Sequence, residues 1–416
     1  MRFWHKVLLA LLIVGVVPIV IVSTASVTRT RDQLTSLGVT NIQQRSTSTA
    51  NAIDAYLQSR LGDIILVSRI PNVLSYVQNP NDATAKTIAR QVLAAAAARS
   101  PEYESVAVVD KAGTITAASI QTDEGTSVKF REYFTTAFAG LAYISDPSYS
   151  VITARPALFF SAPVRDSAGL VLAVVRTRVN LAAIWDIVEG DGGAVGEGSH
   201  GFLVDDYGIR LAVSETKGHR EQAEALIYKP IAPIEPAVAQ KLAADKRFGS
   251  KTADQLIIDP LPALRTALDA LPKGPASSSA SFAYSVGSAD QRGVVTRLIT
   301  KPWAYALGVP LGTYTRAADD ATSNAAVTVV IGLLLSLVMA AVLTRSLVDP
   351  LRTLLRRATQ VSTGDVGLES AYFDTQTGDD VIREVAAAFE RMLTALRFYA
   401  LAEEEAPRAP AARVRR

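Results

Sequence analysis

The segment of this chain best equipped for chemistry is Phe130-Arg131-Glu132-Tyr133-Phe134. An arginine followed by aromatics at helical spacing can set a planar guanidinium fork beside apolar walls, which suits bidentate capture of a carboxylate. Tyr143-Ile144-Ser145-Asp146 follows closely. Arg131 is the candidate anchor. The same residues admit a plainer role, with Arg131 paired at the surface to Glu132 or Glu124 and Tyr133 and Phe134 in the core.

Other chemistry finds little to work with. The chain has 0 cysteines, which removes disulfides, thiol catalysis and thiolate metal sites together. Its 3 histidines are His5, His200 and His219, so the C-terminal region has none to phosphorylate. That region, Arg345 to Arg416, also lacks a Gly-rich phosphate loop with its lysine. Asp205-Asp206 near His200 could ligate a metal, but a polar turn before Tyr207-Gly208 accounts for it. With 42 Lys+Arg against 40 Asp+Glu there is no basic surplus to meet nucleic acid. Neither a cofactor nor a catalytic constellation is expected.

The elements that must position these residues begin in the membrane. Val7 to Val22 is unbroken apolar sequence, with Pro18 inside it and no charge before Arg29. A second charge-free stretch, Ala325 to Thr344, has the roughly 20 residues that a helix needs to cross hydrocarbon. Arg2 and Lys6 ahead of the first stretch, and Ser23 and Ala25 behind it, also allow a cleaved signal peptide. Arg345, Arg352, Arg356 and Arg357 crowd one end of the second stretch, which places the C-terminus in the cytoplasm and the middle of the chain outside.

From about Thr28 to Ile70 apolar residues recur at three and four, as in Ile53, Leu57, Leu61 and Ile64, which predicts a long stalk helix. Ala83 to Ala98 is alanine-rich and helical. The texture then changes to hairpins: Ser105–Val109, Asp110-Lys111-Ala112-Gly113 and Thr114–Thr116, then Ala157–Val164, Asp166-Ser167-Ala168-Gly169 and Leu170–Val175. Leu181 to Val188 is a closing helix. After the glycine-rich Gly190–Gly193, a second unit opens at Gly201–Leu211, with Phe282–Tyr284, Gly293–Leu298 and Trp303–Val309 as its remaining strands. At the C-terminal side, Leu347, Leu351, Leu354, Ala358 and Val361, then Ile382, Val385, Phe389, Met392, Leu396 and Tyr399, step by threes and fours. Two heptad helices result, in a relay or in an ordinary antiparallel coiled coil.

Phe130–Phe134 with Ala137 and Gly140, Tyr143–Asp146 and Ser161-Ala162-Pro163-Val164…Gly169…Val174 resemble the double Cache domain, the two-lobed PAS-like sensor of chemoreceptors and sensor kinases. Asp349-Pro350-Leu351, Thr363-Gly364-Asp365 and Gly378-Asp379-Asp380…Ala388–Met392 resemble a HAMP domain, with Val381 and Arg383 departing from its usual acid and glycine. The Cache resemblance implies a ligand in the membrane-distal lobe, held by Arg131, Tyr133, Phe134, Tyr143, Asp146 and Arg178. Amino-acid-binding members carry a tyrosine where Phe134 stands and an aspartate where Arg178 stands. Replacing that anion with a cation disfavours an ammonium and favours a carboxylate. The HAMP resemblance implies signal relay through Pro350, Leu351, Leu354, Gly364, Phe389 and Met392, and a homodimer, since a four-helix bundle needs two chains.

The expected fold class is α+β: a long N-terminal stalk helix, two PAS-like α/β lobes with antiparallel sheets, two transmembrane helices and a HAMP coiled coil. Its expected boundaries are a cytoplasmic 1–6, a first span 7–27, a sensor 28–313 with lobes at about 101–188 and 196–310, a second span 325–344, HAMP 345–400 and a disordered tail 401–416. The expected function is a non-enzymatic inner-membrane receptor for a small organic anion, acting on a separate cytoplasmic output protein. The alternatives are a membrane-anchored exported enzyme or transporter accessory, and a fragment of a longer chemoreceptor, kinase or cyclase.

Overall fold

The computed structural model describes residues 3–216, 227–272, 277–362 and 380–404. Gly364, the rest of the expected connector 363–379 and the tail after Glu404 lie outside them. Two compact units emerge, Asp32–Arg316 and a second made of Met1–Arg31 with Ala317–Arg416.

In the larger unit, helix α1 (Phe3–Ser68) runs through the predicted stalk, joined without a break to the first apolar segment. Helices α2 (Pro71–Gln78) and α3 (Ala83–Ala97) follow. Pro71 sits in the first turn of α2, where a missing N–H costs least. The Asp82 carboxylate caps α3 by accepting the Thr84 and Ala85 N–H groups.

The first lobe holds β1 (Tyr103–Val109), β2 (Ile115–Ala118), helix α4 (Glu132–Phe138), β3 (Tyr143–Ile144), β4 (Ser148–Tyr149), β5 (Pro156–Arg165), β6 (Val171–Val179) and α5 (Ala182–Glu189). Its sheet runs β2-β1-β6-β5-β3, with β4 pairing β5 off that path. The second lobe holds β7 (His200–Val204), β8 (Arg210–Val213), α6 (Pro236–Ala244), α7 (Pro262–Ala270), β9 (Ser279–Val286), β10 (Ala289–Arg297) and β11 (Ala304–Pro310), in the order β8-β7-β11-β10-β9. With two-residue β4 set aside, both sheets read 2-1-5-4-3 when strands are counted within their own lobe. One antiparallel PAS-like topology is thus used twice.

A single turn chemistry recurs in both lobes. Asp110, Asp166 and Asp205 each accept, through Oδ1, the N–H groups two and four residues on. Each turn closes on a glycine with positive φ: Gly113 at 82°, Gly169 at 86° and Gly208 at 78°.

The main core lies where α1 meets the sheets. Ile53 and Leu57 are fully buried, together with Leu158 and Phe160 of the first sheet and Leu203, Trp303 and Tyr305 of the second. Each such side chain contributes about 1.5–3 kcal/mol by burial. Polar ties fix the register: Asp54 accepts the Ile299 and Thr300 N–H groups, both at 2.8 Å. Asp191 accepts from Thr49 at 2.6 Å and from the Tyr305 hydroxyl at 2.7 Å. On the opposite face of the first sheet, a smaller cluster of Tyr133, Phe134, Ala137, Phe159 and Val174 packs beneath α4.

In the smaller unit, helix α8 (Gly312–Leu343) passes through a short π-helical turn, Thr344–Val348, into α9 (Asp349–Ser362); α10 (Asp380–Glu404) follows the connector. Two helical stretches among the described residues, Ile13–Ser68 and Thr322–Arg356, are long enough and each contain a window apolar enough to cross a membrane. Pro350 lies in the first turn of α9. Leu354 is buried, whereas Leu351 and Met392 remain 50% and 49% exposed.

Candidate functional site

The sheet face beneath α4 is where the predicted residues gather. In β6, Arg176 and Arg178 are two apart and therefore share a face; their cross-strand partners on β1 are Ala107 and Ser105. Phe159 on β5 pairs with Arg178. The ring of Tyr133 stacks on that of Phe159 at 4.7 Å, and the guanidinium carbons of Arg131 and Arg176 lie 5.9 and 6.0 Å from its centroid. Three arginines, each at most 2% exposed, thus surround one aromatic pair.

One fully buried carboxylate lies among them. Asp123, 1% exposed, accepts through Oδ2 from Arg176 and Arg178, both at 3.1 Å, and from the Ser105 hydroxyl at 2.6 Å. Glu104, nearer the surface, accepts from Arg178 Nε at 2.9 Å. Arg131 turns the other way. It donates to the Tyr149 carbonyl at 2.6 Å, to the Ser148 hydroxyl at 3.2 Å and to the Asp245 carbonyl, with the Asp245 carboxylate at 3.6 Å. Among the described residues, Nε of Arg131 and of Arg176 has no acceptor. Burial depresses the pKa of Arg176, and the neighbouring Arg178 adds repulsion. Burial also raises the Tyr133 phenol.

The remaining predicted residues divide between this face and the lobe junction. Tyr133 and Phe134 are core, at 3% and 4% exposure. Of the expected alternative partners of Arg131, Glu124 is engaged with Arg90 and Lys86, and Glu132 acts on Tyr143, whose phenol is raised by burial and then by that charge. Asp146 belongs to the junction, where it accepts from Trp303 Nε1 at 2.7 Å and pairs with Arg247 at 3.0 Å and Lys301 at 3.1 Å. Burial opposes its ionisation, but Arg247 and Lys301 outweigh burial and hold its pKa below the usual carboxylate range. Arg247 continues to Asp205 at 2.5 Å, so the Asp205 carboxylate serves its own turn and this junction. Burial likewise raises Tyr143, whose ring lies 5.3 Å from Lys301 Nζ. A cavity of about 30 Å3 beside Tyr133, Asp146, Asp245 and Arg247 has room for one water. Among the described residues, no group of three or more acidic or histidine side chains could hold a metal ion.

Sequence reasoning did not single out Arg176, Asp123 or Arg247 as functional. A signal for the first was present: two arginines at alternate positions of an otherwise apolar strand must share one face, and a strand this apolar is buried on both. Asp123 and Arg247 carried none, because their partners lie far off in sequence.

No family model matches the chain, and no curated protein matches it. Among solved structures, it is similar to the sensor domain of the V. cholerae histidine kinase DctB, at 15% identity and TM-score 0.49, covering 67% of this chain and 98% of that one. It is also similar to the ligand-binding domain of the Campylobacter jejuni chemoreceptor Tlp3 in complex with L-valine, at 11% identity and TM-score 0.48, covering 69% and 98%. A third is the ligand-binding domain of Mlp24 with asparagine, at 12% identity and TM-score 0.42, covering 70% and 99%.

Proposed function

We propose that this chain is a two-pass membrane receptor whose distal lobe takes up a small organic anion beneath α4. The carrying observation is the cluster of cations on that face: three guanidiniums, each at most 2% exposed, share one fully buried carboxylate, Asp123, and two partly exposed ones, Glu104 and Asp245. Buried donors without an acceptor are costly, and an incoming carboxylate would supply acceptors to Nε of Arg131 and Arg176. Arg176 and Arg178 are the groups that face the ligand. Arg131 offers Nε at its edge while its two terminal nitrogens hold the β4 segment and the residues after α6 in place. Tyr133 and Phe159 form the apolar wall. Because Arg178 stands where an amino-acid receptor would present an acid, mono- and dicarboxylates are favoured over zwitterions.

Binding shifts a relay only by its differential affinity for two states, typically ~1–3 kcal/mol. Helices α9 and α10 are proposed as that relay, a HAMP module in a parallel homodimer that acts on a separate cytoplasmic protein. The test is thermal denaturation of the compact unit 32–316 with acetate, succinate, alanine and lysine. Carboxylates should raise the midpoint most, and Arg178→Asp should remove that preference. Equal or greater stabilisation by the amino acids would reject the anion site.

A further inference from the structure

A second cleft, apart from the arginine cluster, opens where the β4 strand meets the stretch that follows α6. Two adjoining chambers of about 190 and 430 Å3 share Tyr149, Phe248 and Lys251 as walls. The larger is within the size range of small-molecule sites. Tyr149 and Tyr228 lie 5.7 Å apart and Tyr228 and Phe248 6.3 Å, the latter edge to face, so three rings bound the smaller chamber. Ile227 and Ile257 extend the apolar wall, and Ile257 is 70% exposed. The polar members are cations: Lys229 and Lys251 at the smaller chamber, Lys246 and Lys251 at the larger. No Asp or Glu is among the described residues that line either one.

The backbone here is also held away from its preferred conformations. Among the described residues, the non-glycine positions with positive φ are Ala154 at 53°, Tyr228 at 58° and Lys246 at 54°, and all three line these chambers. Such positions are strained and persist where surrounding structure enforces them, commonly at binding sites.

We propose that this cleft binds a hydrophobic carboxylate: an aromatic ring or branched chain seated among Tyr149, Tyr228 and Phe248, with its single carboxylate on Lys229 and Lys251. A lining that combines aromatic rings with lysines and, among the described residues, no acid matches that amphipathic anion and disfavours amines. The site goes beyond the proposed anion pocket and stands independently of it. Arg131 connects the two, because it grips the carbonyl of the wall residue Tyr149 and that of Asp245, next to the wall residue Lys246, while its guanidinium carbon lies 5.9 Å from the Phe159 ring centroid.

The test uses the full chain in nanodiscs, titrated with phenylacetate, the neutral isostere phenylacetamide, and acetate, and read by calorimetry. Phenylacetate should bind best. Lys229→Gln/Lys251→Gln, at positions outside the core, should weaken phenylacetate by about tenfold or more and leave phenylacetamide unchanged. Arg178→Lys should leave phenylacetate affinity as it was, which separates this site from the arginine cluster even if that cluster binds nothing. Three results overturn the proposal: acetate matching phenylacetate, phenylacetate affinity lost in Arg178→Lys but kept in the lysine double variant, or no saturable binding of phenylacetate at millimolar concentrations.

Discussion

Asp123→Asn tests whether the face beneath α4 is short of negative charge. The carboxylate is 1% exposed, and one of its oxygens serves Arg176, Arg178 and Ser105 at once. An amide of the same shape keeps the packing but withdraws the charge. Arg178 retains Glu104, so the loss falls mainly on Arg176, whose carboxylate contact is Asp123 alone among the described residues. Removing one partner of a buried ion pair costs about 3–5 kcal/mol, and Glu104 argues for the low end, about 3 kcal/mol. For a unit of this size that is a fall of roughly 6 °C or more, at ~2 °C per kcal/mol. Urea unfolding of the compact unit should show a lower midpoint at unchanged slope. Adding Arg176→Met should recover much of the loss, since the stranded cation leaves with its partner, and acetate should stabilise Asp123→Asn more than the parent. A midpoint within about 0.5 kcal/mol of the parent would refute the charge argument. So would an Arg176→Met change that costs more in the Asp123→Asn background than alone.

Glu124 takes a forked pair from Arg90 at 2.8 and 2.6 Å, with Lys86 at 3.0 Å and the Ala118 N–H at 3.1 Å. Burial pushes this carboxyl up, but the pairs prevail and bring it down to about 2. The folded state is then the weaker proton binder, so its contribution is complete above ~4.3 and lost as pH falls through about 2. Glu124→Gln should flatten this acid limb in unfolding curves taken across pH. Reporter fusions after Thr313 and after Leu396 should report opposite sides of the membrane, and the same side for both would end the receptor proposal. Single cysteines at Leu351 or Met392, both half-exposed in one chain, should crosslink to their twins in membranes. Crosslinking confined to Arg352 or Glu390 would place the register elsewhere.

The lobes were legible where local chemistry decides structure. Asp110-x-x-Gly113, Asp166-x-x-Gly169 and Asp205-x-x-Gly208 each carry a complete turn within four residues, and the apolar strands on either side could go only one way. β3 and β4 were not legible, because each is two residues long and exists only through its pairing with β5. Helices α6 and α7 were also missed; each has a proline in its first turn, and the isolated pattern is short. The candidate site was half legible. Its residue types were visible, but not the partition that sends Arg131 to Asp245 and Asp146 to Arg247, which spans about a hundred residues of chain. Burial of Arg176 and Arg178 follows from strand alternation; the identity of their counter-charge does not.

Ile53 and Leu57 on the long helix touch the same interior as Phe160 from one sheet and Trp303 and Tyr305 from the other. Neither lobe therefore owns a finished inside. A cut between them would leave two apolar slabs facing water, so the two copies of one topology no longer behave as interchangeable modules. Grafting either lobe onto another chain has to move the pair together with its helix, and substitutions are borne best on the faces turned from that interior, beneath α4 and around Tyr149, where a changed side chain does not disturb the shared inside.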